Sequence, residues 1–249
     1  MIKQYIKKHH IKLWWITLSV SVVIILISVV WSLGIINLPP SFVYLSRQLS
    51  GAVVTKPGLT AELAIKFHKQ EHSLSCEAAA VKMILDYYGL GISESEIIEN
   101  MLFDATKRSG NIWGDPDAGF VGNIDGKMGV DGYGIHWDPI AKLISKWRKA
   151  EVITNGLARD LAFHISEGHP IIVWGYSGRI KSMSWFTLEG KKVYAINGEH
   201  TRVVYGFRGD LANPDGFLVM DPIYGSAYWE KSKFLRNWDA FGRMGVVVY

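Results

Sequence analysis

The sequence predicts an α+β fold that is preceded by one membrane-spanning helix. Three observations indicate it: an uncharged apolar stretch near the N-terminus, a middle region whose apolar residues recur at helical spacing, and a C-terminal third of short β-rich runs. The chain has 249 residues, of which 49% are hydrophobic, so it can bury a sizeable core in one domain or at most two. The segregation of helices from strands favours helices packed on one side of a mostly antiparallel sheet.

The formal net charge of +4 originates in the N-terminal tail. Four lysines precede residue 13, and the first acidic residue is Glu62. Of the 27 basic residues, 23 therefore remain from residue 13 onward, against 23 acidic residues. A nucleic-acid partner would favour a basic surface on the folded part, so we predict that the protein does not bind nucleic acid.

The apolar stretch is the strongest localisation signal in the chain. Residues 13–46 contain no charged side chain, and an apolar segment of about 24 residues can cross ~30 Å of hydrocarbon. We predict a cytoplasmic basic tail over residues 1–12 and a transmembrane helix over residues 13–37. A cleaved signal peptide is the alternative, although its apolar region is usually only ~7–15 residues long. Because lysines cluster before the span, the N-terminus is predicted to be cytoplasmic and the catalytic domain extracellular, in a single-pass protein of the cell membrane.

Residues 38–63 are rich in proline and glycine, so we predict a stalk there and a folded domain over residues 64–249. The first helix of that domain begins at the only cysteine of the chain. From Ser75 to Tyr88 apolar residues recur at helical spacing, and Gly89 supplies a C-terminal stop. Ser93 precedes Glu96 by three residues, a capping-box pattern that predicts a second helix.

Residues 110–134 contain eight glycines and predict a long loop. The interleaved Trp113, Phe120 and Tyr133 indicate that this loop is packed. Its aspartates do not have the spacing of an EF-hand calcium loop. Two amphipathic helices follow, in the runs "DPIAKLISKWRKA" and "NGLARDLAFHISEG", and the second ends at Gly168.

The C-terminal third is predicted to form the sheet. Short β-rich runs are separated there by Gly, Pro, Asn and Asp turns. The runs are "HPIIVWGYS", "KKVYAING", "HTRVVYGFRG", "GFLVMDPIYG" and "GRMGVVVY".

The single cysteine, Cys76, cannot form an internal disulfide. It is therefore either a buried small hydrophobic side chain or a reactive nucleophile, and composition does not distinguish the two. Its predicted position at a helix N-terminus suits a nucleophile, because the helix dipole and the free amides stabilise a thiolate.

A cysteine nucleophile needs a base, and His200 is the candidate that the predicted sheet places best. It lies at the entrance of a strand, and the next strand ends at Asp221. Adjacent antiparallel strands can bring these two residues side by side, so that the carboxylate orients the imidazole. Five other histidines outside the tail remain candidates: His68, His72, His136, His164 and His169.

The chain resembles the C39-like branch of the papain-like cysteine peptidases. The resemblance is carried by "QEHSLSCEAAAVKMILDYYG", "GHPIIVWGY", "HTRVVYGF" and "FLVMDPIYG", and it covers about residues 65–249. It implies a papain-like fold with Cys76 as nucleophile, His200 as general base and acid, Asp221 as orienting residue and Gln70 as oxyanion-hole donor. It implies a peptide or protein substrate and no cofactor or metal.

Two features leave alternatives open. Glu77 follows the cysteine where many relatives have glycine, and its charge opposes thiolate formation. The same fold could serve as a catalytically silent peptide-binding module, or the triad could transfer the acyl group to an amine.

His68 and His72 lie four residues apart, but no further ligand pattern accompanies them, so we predict that they do not bind a metal. The sequence does not indicate an oligomeric state.

Overall fold

A computed structural model describes residues 60–249 of the chain. The predicted basic tail, the predicted membrane helix and most of the predicted stalk lie outside the described residues. None of the helices in residues 60–249 is both long and apolar enough to span a membrane.

The described residues form five α-helices and nine β-strands. The helices are α1 (Cys76–Tyr87), α2 (Glu94–Asn100), α3 (Trp137–Ile144), α4 (Ala158–Ser166) and α5 (Lys231–Asp239). The strands are β1 (Thr60–Glu62), β2 (Phe103–Asp104), β3 (Phe120–Val121), β4 (Ala150–Ile153), β5 (Ile171–Phe186), β6 (Lys192–Gly209), β7 (Pro214–Asp221), β8 (Gly225–Glu230) and β9 (Gly245–Val248).

Seven of the strands form one sheet in the order β4-β9-β5-β6-β7-β8, with β1 paired to β6. Every pairing in this sheet is antiparallel, whereas β2 and β3 form a separate parallel pair. The prediction of an α+β fold with a mostly antiparallel sheet is confirmed.

The first two helices begin and end where the sequence predicts. The C-terminal end of α1 is followed by Gly89, whose φ of 76° is unfavourable for residues with a side chain. The Ser93 side chain accepts a hydrogen bond from the Glu96 amide and caps α2.

Three parts of the sheet differ from the prediction. Strand β1 lies inside the predicted stalk and pairs with Gly206–Arg208, so the sheet begins before residue 64. Strands β5 and β6 form one long hairpin, with an irregularity between Tyr176 and Lys181, where shorter runs were predicted. The largely exposed and mostly polar sequence of residues 177–182 hides this extension, although Trp185, Val193 and Ala195 further along the hairpin are buried. The two edge strands, β4 and β8, and helix α5 were not predicted, since their sequences contain few buried apolar residues.

The side chains of β6 alternate between two faces of the sheet, and this alternation positions the candidate site. Helix α1 packs against β6, and Val203 and Tyr205 share a hydrophobic cluster with the α1 residues. By alternation Glu199 and Thr201 belong to this same α1 face. His200 and Arg202 belong to the other face, which α5 covers through contacts with β5, β7 and β8.

The glycine-rich segment forms a packed loop, as predicted. Its residues Trp113 and Tyr133 are buried against Trp185 of β5, with ring centroids 5.2 Å from that ring in both cases. Phe120 is also fully buried, in the main hydrophobic cluster. The loop therefore has a small aromatic core of its own.

Candidate active site

Cys76 is the first residue of α1 and is only 4% exposed. Its Sγ donates a hydrogen bond to Oε2 of Glu77, at 3.2 Å. Burial, followed by the nearby Glu77 and Glu199, raises the pKa of the thiol well above its usual value. The amide and hydroxyl of Thr201 lie near the sulfur and act in the opposite direction on this pKa. The resting side chain is therefore a protonated thiol.

His200 and Asp221 lie side by side on β6 and β7. His200 Nε2 is 2.9 Å from Asp221 Oδ1, and both side chains are buried. Burial and the Arg202 charge lower the pKa of His200, although Asp221 acts in the opposite direction, so the imidazole is neutral at physiological pH. Because an ionised carboxylate can only accept, Nε2 carries the proton and Nδ1 keeps its lone pair.

Asp221 is compensated on both of its oxygens. Arg202 Nε donates to Oδ2 at 2.7 Å, and the amides of Ile223 and Tyr224 donate to Oδ1 at 2.8 and 3.2 Å. Burial alone would raise the pKa of this carboxyl, but His200, Arg202 and the amide bonds together lower it far below its usual value. The carboxylate is ionised and rigidly held.

Gln70 docks next to this pair through its backbone, since its amide donates to the Pro222 carbonyl at 3.0 Å. Its side-chain Nε2 donates to the carbonyls of His72 and Ser73, at 2.8 and 3.0 Å. To donate to an oxyanion, the side chain has to release one of these two bonds.

The four predicted site residues are thus brought to one region, but not all of them touch. His200 contacts Asp221, Gln70 contacts the residue after Asp221, and Cys76 lies beside Thr201, which follows His200. In the described part of the chain, no hydrogen bond joins the Cys76 thiol to His200, because the thiol bonds to Glu77 instead. Thr201 and His200 are consecutive residues of β6, so their side chains lie on opposite faces of the sheet.

Two buried charged residues of the site were not predicted. Glu199 is 3% exposed and Arg202 is 5% exposed, although both belong to a strand. Each is adjacent or nearly adjacent to His200 in "GEHTRVVYGF", and charged residues inside a buried strand are a signal that sequence reasoning could have used.

Glu77 and Glu199 form a buried carboxyl pair next to the thiol. Burial raises the pKa of Glu77 to about 7, despite the hydrogen bond that its Oε1 accepts from the Ile135 amide at 2.9 Å. Burial and the neighbouring Glu77 raise the pKa of Glu199 well above its usual value. Both carboxyls therefore tend to hold protons near neutral pH.

The other face of the sheet carries a pocket of about 540 Å³ beside Asp221. Arg202, Lys233 and Arg236 line it together with the ring of Trp229. Arg202 and Lys233 both lie over that ring, at 4.7 and 4.4 Å from its centroid. The pocket is thus positively charged and partly aromatic.

The histidines that were considered as a metal pair have separate partners. His68 Nε2 lies 2.6 Å from Glu94 Oε2, and His72 Nδ1 lies 2.8 Å from Asp125 Oδ1. They are therefore used in two separate hydrogen bonds.

The comparisons with known proteins agree with this architecture. A profile of the Peptidase_C39 like family matches residues 62–246. The chain belongs to this family. It is 22% identical over 180 residues to the uncharacterised protein YvpB of Bacillus subtilis (strain 168), covering 70% of this chain and 68% of YvpB.

Solved structures also resemble the C39-like domain. A candidate C39-like peptidase from Bacillus anthracis is 22% identical and has a TM-score of 0.67, over 77% of this chain and 98% of that one. This likeness establishes a C39-like fold. The peptidase domain of Streptococcus ComA is 15% identical over 74% of this chain and 98% of that one, and its TM-score of 0.44 is too low to support an argument.

Proposed function

We propose that this protein is a thiol hydrolase that cleaves peptide or amide bonds with Cys76 as nucleophile, His200 as base and acid, and Asp221 as the orienting residue. The observation that supports it best is the neutral His200 imidazole on β6, which is held by the ionised Asp221 carboxylate on β7. His200 is followed in sequence by Thr201, which lies near the sulfur of Cys76 at the N-terminus of α1. Membership of the Peptidase_C39 like family supports the same reaction class.

The reaction begins with a proton transfer. His200 Nδ1 takes the proton of the Cys76 thiol, and the sulfur attacks the substrate carbonyl carbon to form a tetrahedral oxyanion. The Cys76 amide and the Gln70 side chain donate to that oxyanion. The imidazolium returns its proton to the departing amine, and water then attacks the thioester with His200 as base, releasing the acid and the thiol.

The resting geometry implies that the substrate activates the site. The thiol bonds to Glu77 on the α1 face and its pKa is raised, whereas His200 lies on the opposite face of β6. Proton transfer therefore requires a rotation of the Cys76 side chain together with a shift of His200. A substrate that displaces water and forms the oxyanion contacts supplies the energy for this rotation. Free Cys76 is therefore expected to react slowly with reagents that do not resemble the substrate.

We further propose that residues 13–37 anchor the domain in the cell membrane, with the domain on the extracellular side. The length of the apolar segment and the lysines that precede it support this. Peptides or proteins outside the cell would then be the substrates.

A peptide-binding module without turnover is the second candidate, because the Cys76 thiol is bonded to Glu77 rather than to His200. The raised pKa of the Cys76 thiol also disfavours its use as a nucleophile. In that case the region around Asp221 would bind a peptide that remains intact.

A peptide library presented to the full-length chain in detergent distinguishes the two functions. We expect cleavage, and we expect Cys76→Ala and His200→Ala each to lower kcat/KM by about 10³-fold or more. His169→Ala is the matched control, because this half-buried histidine packs against Tyr249 and not against Asp221. Cleavage that persists in Cys76→Ala contradicts the hydrolase, and peptide binding without any cleavage by the wild type supports the binding module.

A further inference from the structure

We propose that Cys76, Glu77 and Glu199 form a binding site for a thiophilic divalent cation such as Zn²⁺, and that the bound ion blocks the nucleophile. The binding site does not depend on the proposed function. Only its inhibitory consequence rests on Cys76 being a catalytic nucleophile.

The three side chains converge within the size of a metal site. One ligand atom from each, the sulfur and one oxygen of each carboxyl, lies within 4.8 Å of the others, and all three residues are buried. The Cys76 Sγ to Glu77 Oε2 distance is already 3.2 Å. Zn–S bonds of ~2.3 Å and Zn–O bonds of ~2.0–2.2 Å place neighbouring ligand atoms of a tetrahedral site about 3.5 Å apart. Shifts of about 1 Å would therefore close the remaining gap.

The Glu199 carboxyl points to a missing partner. It is 3% exposed, and neither of its oxygens has a hydrogen-bond partner. A Cβ built on Gly134 would lie 2.6 Å from Glu199 Oε2 and 2.7 Å from Glu77 Oε1, so both carboxyls converge on the same glycine. A buried carboxyl without a partner is costly, and a bound cation is one of the few groups that would compensate it.

The Thr201 hydroxyl gives an independent indication. It is fully buried and close enough to the sulfur to lower the thiol pKa, yet it lies outside hydrogen-bonding geometry with any described group. Thr201 is not an acidic or sulfur ligand, so its unpaired oxygen is separate from the cluster itself. Of the groups around Cys76, the Glu199 carboxyl and the Thr201 hydroxyl are thus both buried without a hydrogen-bond partner among the described residues.

The donor set selects the ion. One thiolate and two carboxylates suit Zn²⁺, which accepts sulfur and oxygen and leaves a fourth position for water. Mg²⁺ and Ca²⁺ prefer oxygen ligands only. The other acidic cluster, at His68, Glu71 and Glu94, lacks this character, since Glu94 is already bonded by His68 and by the Glu71 amide.

Metal binding and catalysis compete for the same electron pair. The ion displaces the thiol proton and the carboxyl protons to solvent, and the sulfur donates its lone pair to the metal. That pair is then unavailable for attack on a carbonyl carbon. The bound ion would hold the enzyme inactive until a chelator or a metal-poor medium removed it.

The test uses metal alone with the full-length chain. Co²⁺ serves as a spectroscopic probe, because a cobalt–thiolate bond gives a near-ultraviolet charge-transfer band, and Zn²⁺ is then titrated in competition. We expect the band in the wild type, its loss in Cys76→Ser, and an apparent Zn²⁺ affinity at least about 10-fold weaker in Glu199→Gln. Glu189→Gln is the matched control, since Glu189 is exposed and lies in a hairpin turn.

X-ray absorption of the zinc-loaded wild type requires no variant, and we expect one sulfur at ~2.3 Å together with oxygen at ~2.0 Å. Glu199→Asp, which keeps the charge, replaces Glu199→Gln if the latter does not fold. Zinc that binds without sulfur, or that binds Glu199→Gln and Glu189→Gln equally well, overturns the proposal. Zinc binding with sulfur and no peptide cleavage by the metal-free chain supports the metal site and contradicts only the hydrolase.

Discussion

Two buried carboxyl groups on opposite faces of the sheet, Glu199 of β6 and Asp221 of β7, behave in opposite ways. Asp221 and Glu199 are 5% and 3% exposed, so burial is nearly equal. The pKa of Asp221 is lowered, because His200, Arg202 and two backbone amides bond to it. The pKa of Glu199 is raised, because no hydrogen bond compensates its burial and Glu77 lies near it. Hydrogen bonds and opposite charges outweigh burial at Asp221 and keep it ionised, whereas at Glu199 burial prevails.

This difference assigns separate tasks to the two faces. The ionised Asp221 orients the His200 tautomer, whereas the protonated pair on the α1 face keeps negative charge away from the resting thiol. Under the proposed function, β6 would position the base on one face and modulate the thiol from the other. Variants that alter the compensation on either face test this interpretation.

The largest effect on stability is expected for Asp221→Ala, which removes the carboxylate that pairs with Arg202 on the α5 face. Arg202 would remain buried without its anion, and the loss of one partner of a buried pair costs about 3–5 kcal/mol in the free energy of unfolding. Urea denaturation measures this loss. Asp125→Ala is the control, because its ion pair with His72 is exposed and should contribute about 1 kcal/mol or less. Equal losses in the two variants would contradict the comparison.

The next effect concerns the pH dependence of stability on the α1 face. A folded-state pKa of Glu199 above the unfolded value means that the folded state keeps a proton that the unfolded state has lost. Its contribution is therefore present below about pH 4.5 and is lost as pH rises towards the folded-state pKa. The opposite holds for Asp221, whose contribution is lost as pH falls below about 4.

The variant Glu199→Gln isolates the contribution of Glu199 to the pH dependence of stability. The charged groups that act on Glu199 are Glu77, which raises its pKa, and Arg202, which lowers it. The stability of the wild type relative to Glu199→Gln should fall by up to about 1.4 kcal/mol per pH unit between about pH 5 and pH 7, in the presence of a chelator. Urea midpoints across that range give the difference, with Glu189→Gln as control. A difference that is constant with pH would show that Glu199 is ionised in the folded protein.

Local signals predicted the parts of the site that depend on neighbouring residues in sequence. The start of α1 at Cys76, the Ser93 cap and the side-by-side positions of His200 and Asp221 all follow from helix termini and from the turn that joins two strands. The full length of the β5–β6 hairpin was not predicted, because the largely exposed and mostly polar residues 177–182 interrupt the apolar pattern between Tyr176 and Trp185.

The partner of the Cys76 thiol was also beyond sequence reasoning. Choosing between Glu77 and His200 depends on side-chain rotation and on distances of less than an ångström, which no sequence spacing records. Arg202 and Glu199 likewise show their roles only once Asp221 and Glu77 are placed beside them. The fold class and the proximity of His200 to Asp221 were therefore predictable, whereas the protonation states of these groups required coordinates.

The smallest effect is expected for Glu77→Gln, which changes the charge next to the thiol but keeps an oxygen for the Ile135 amide. Glu77 is ionised at the alkaline pH where the thiol titrates, so its replacement should lower the Cys76 pKa, while burial still keeps that pKa above the usual value. The rate of alkylation of Cys76 by iodoacetamide as a function of pH measures the shift. Glu189→Gln should leave the profile unchanged. If Glu77→Gln does the same, the raised pKa of the thiol comes from burial alone, and the carboxyl pair of the α1 face does not modulate the nucleophile.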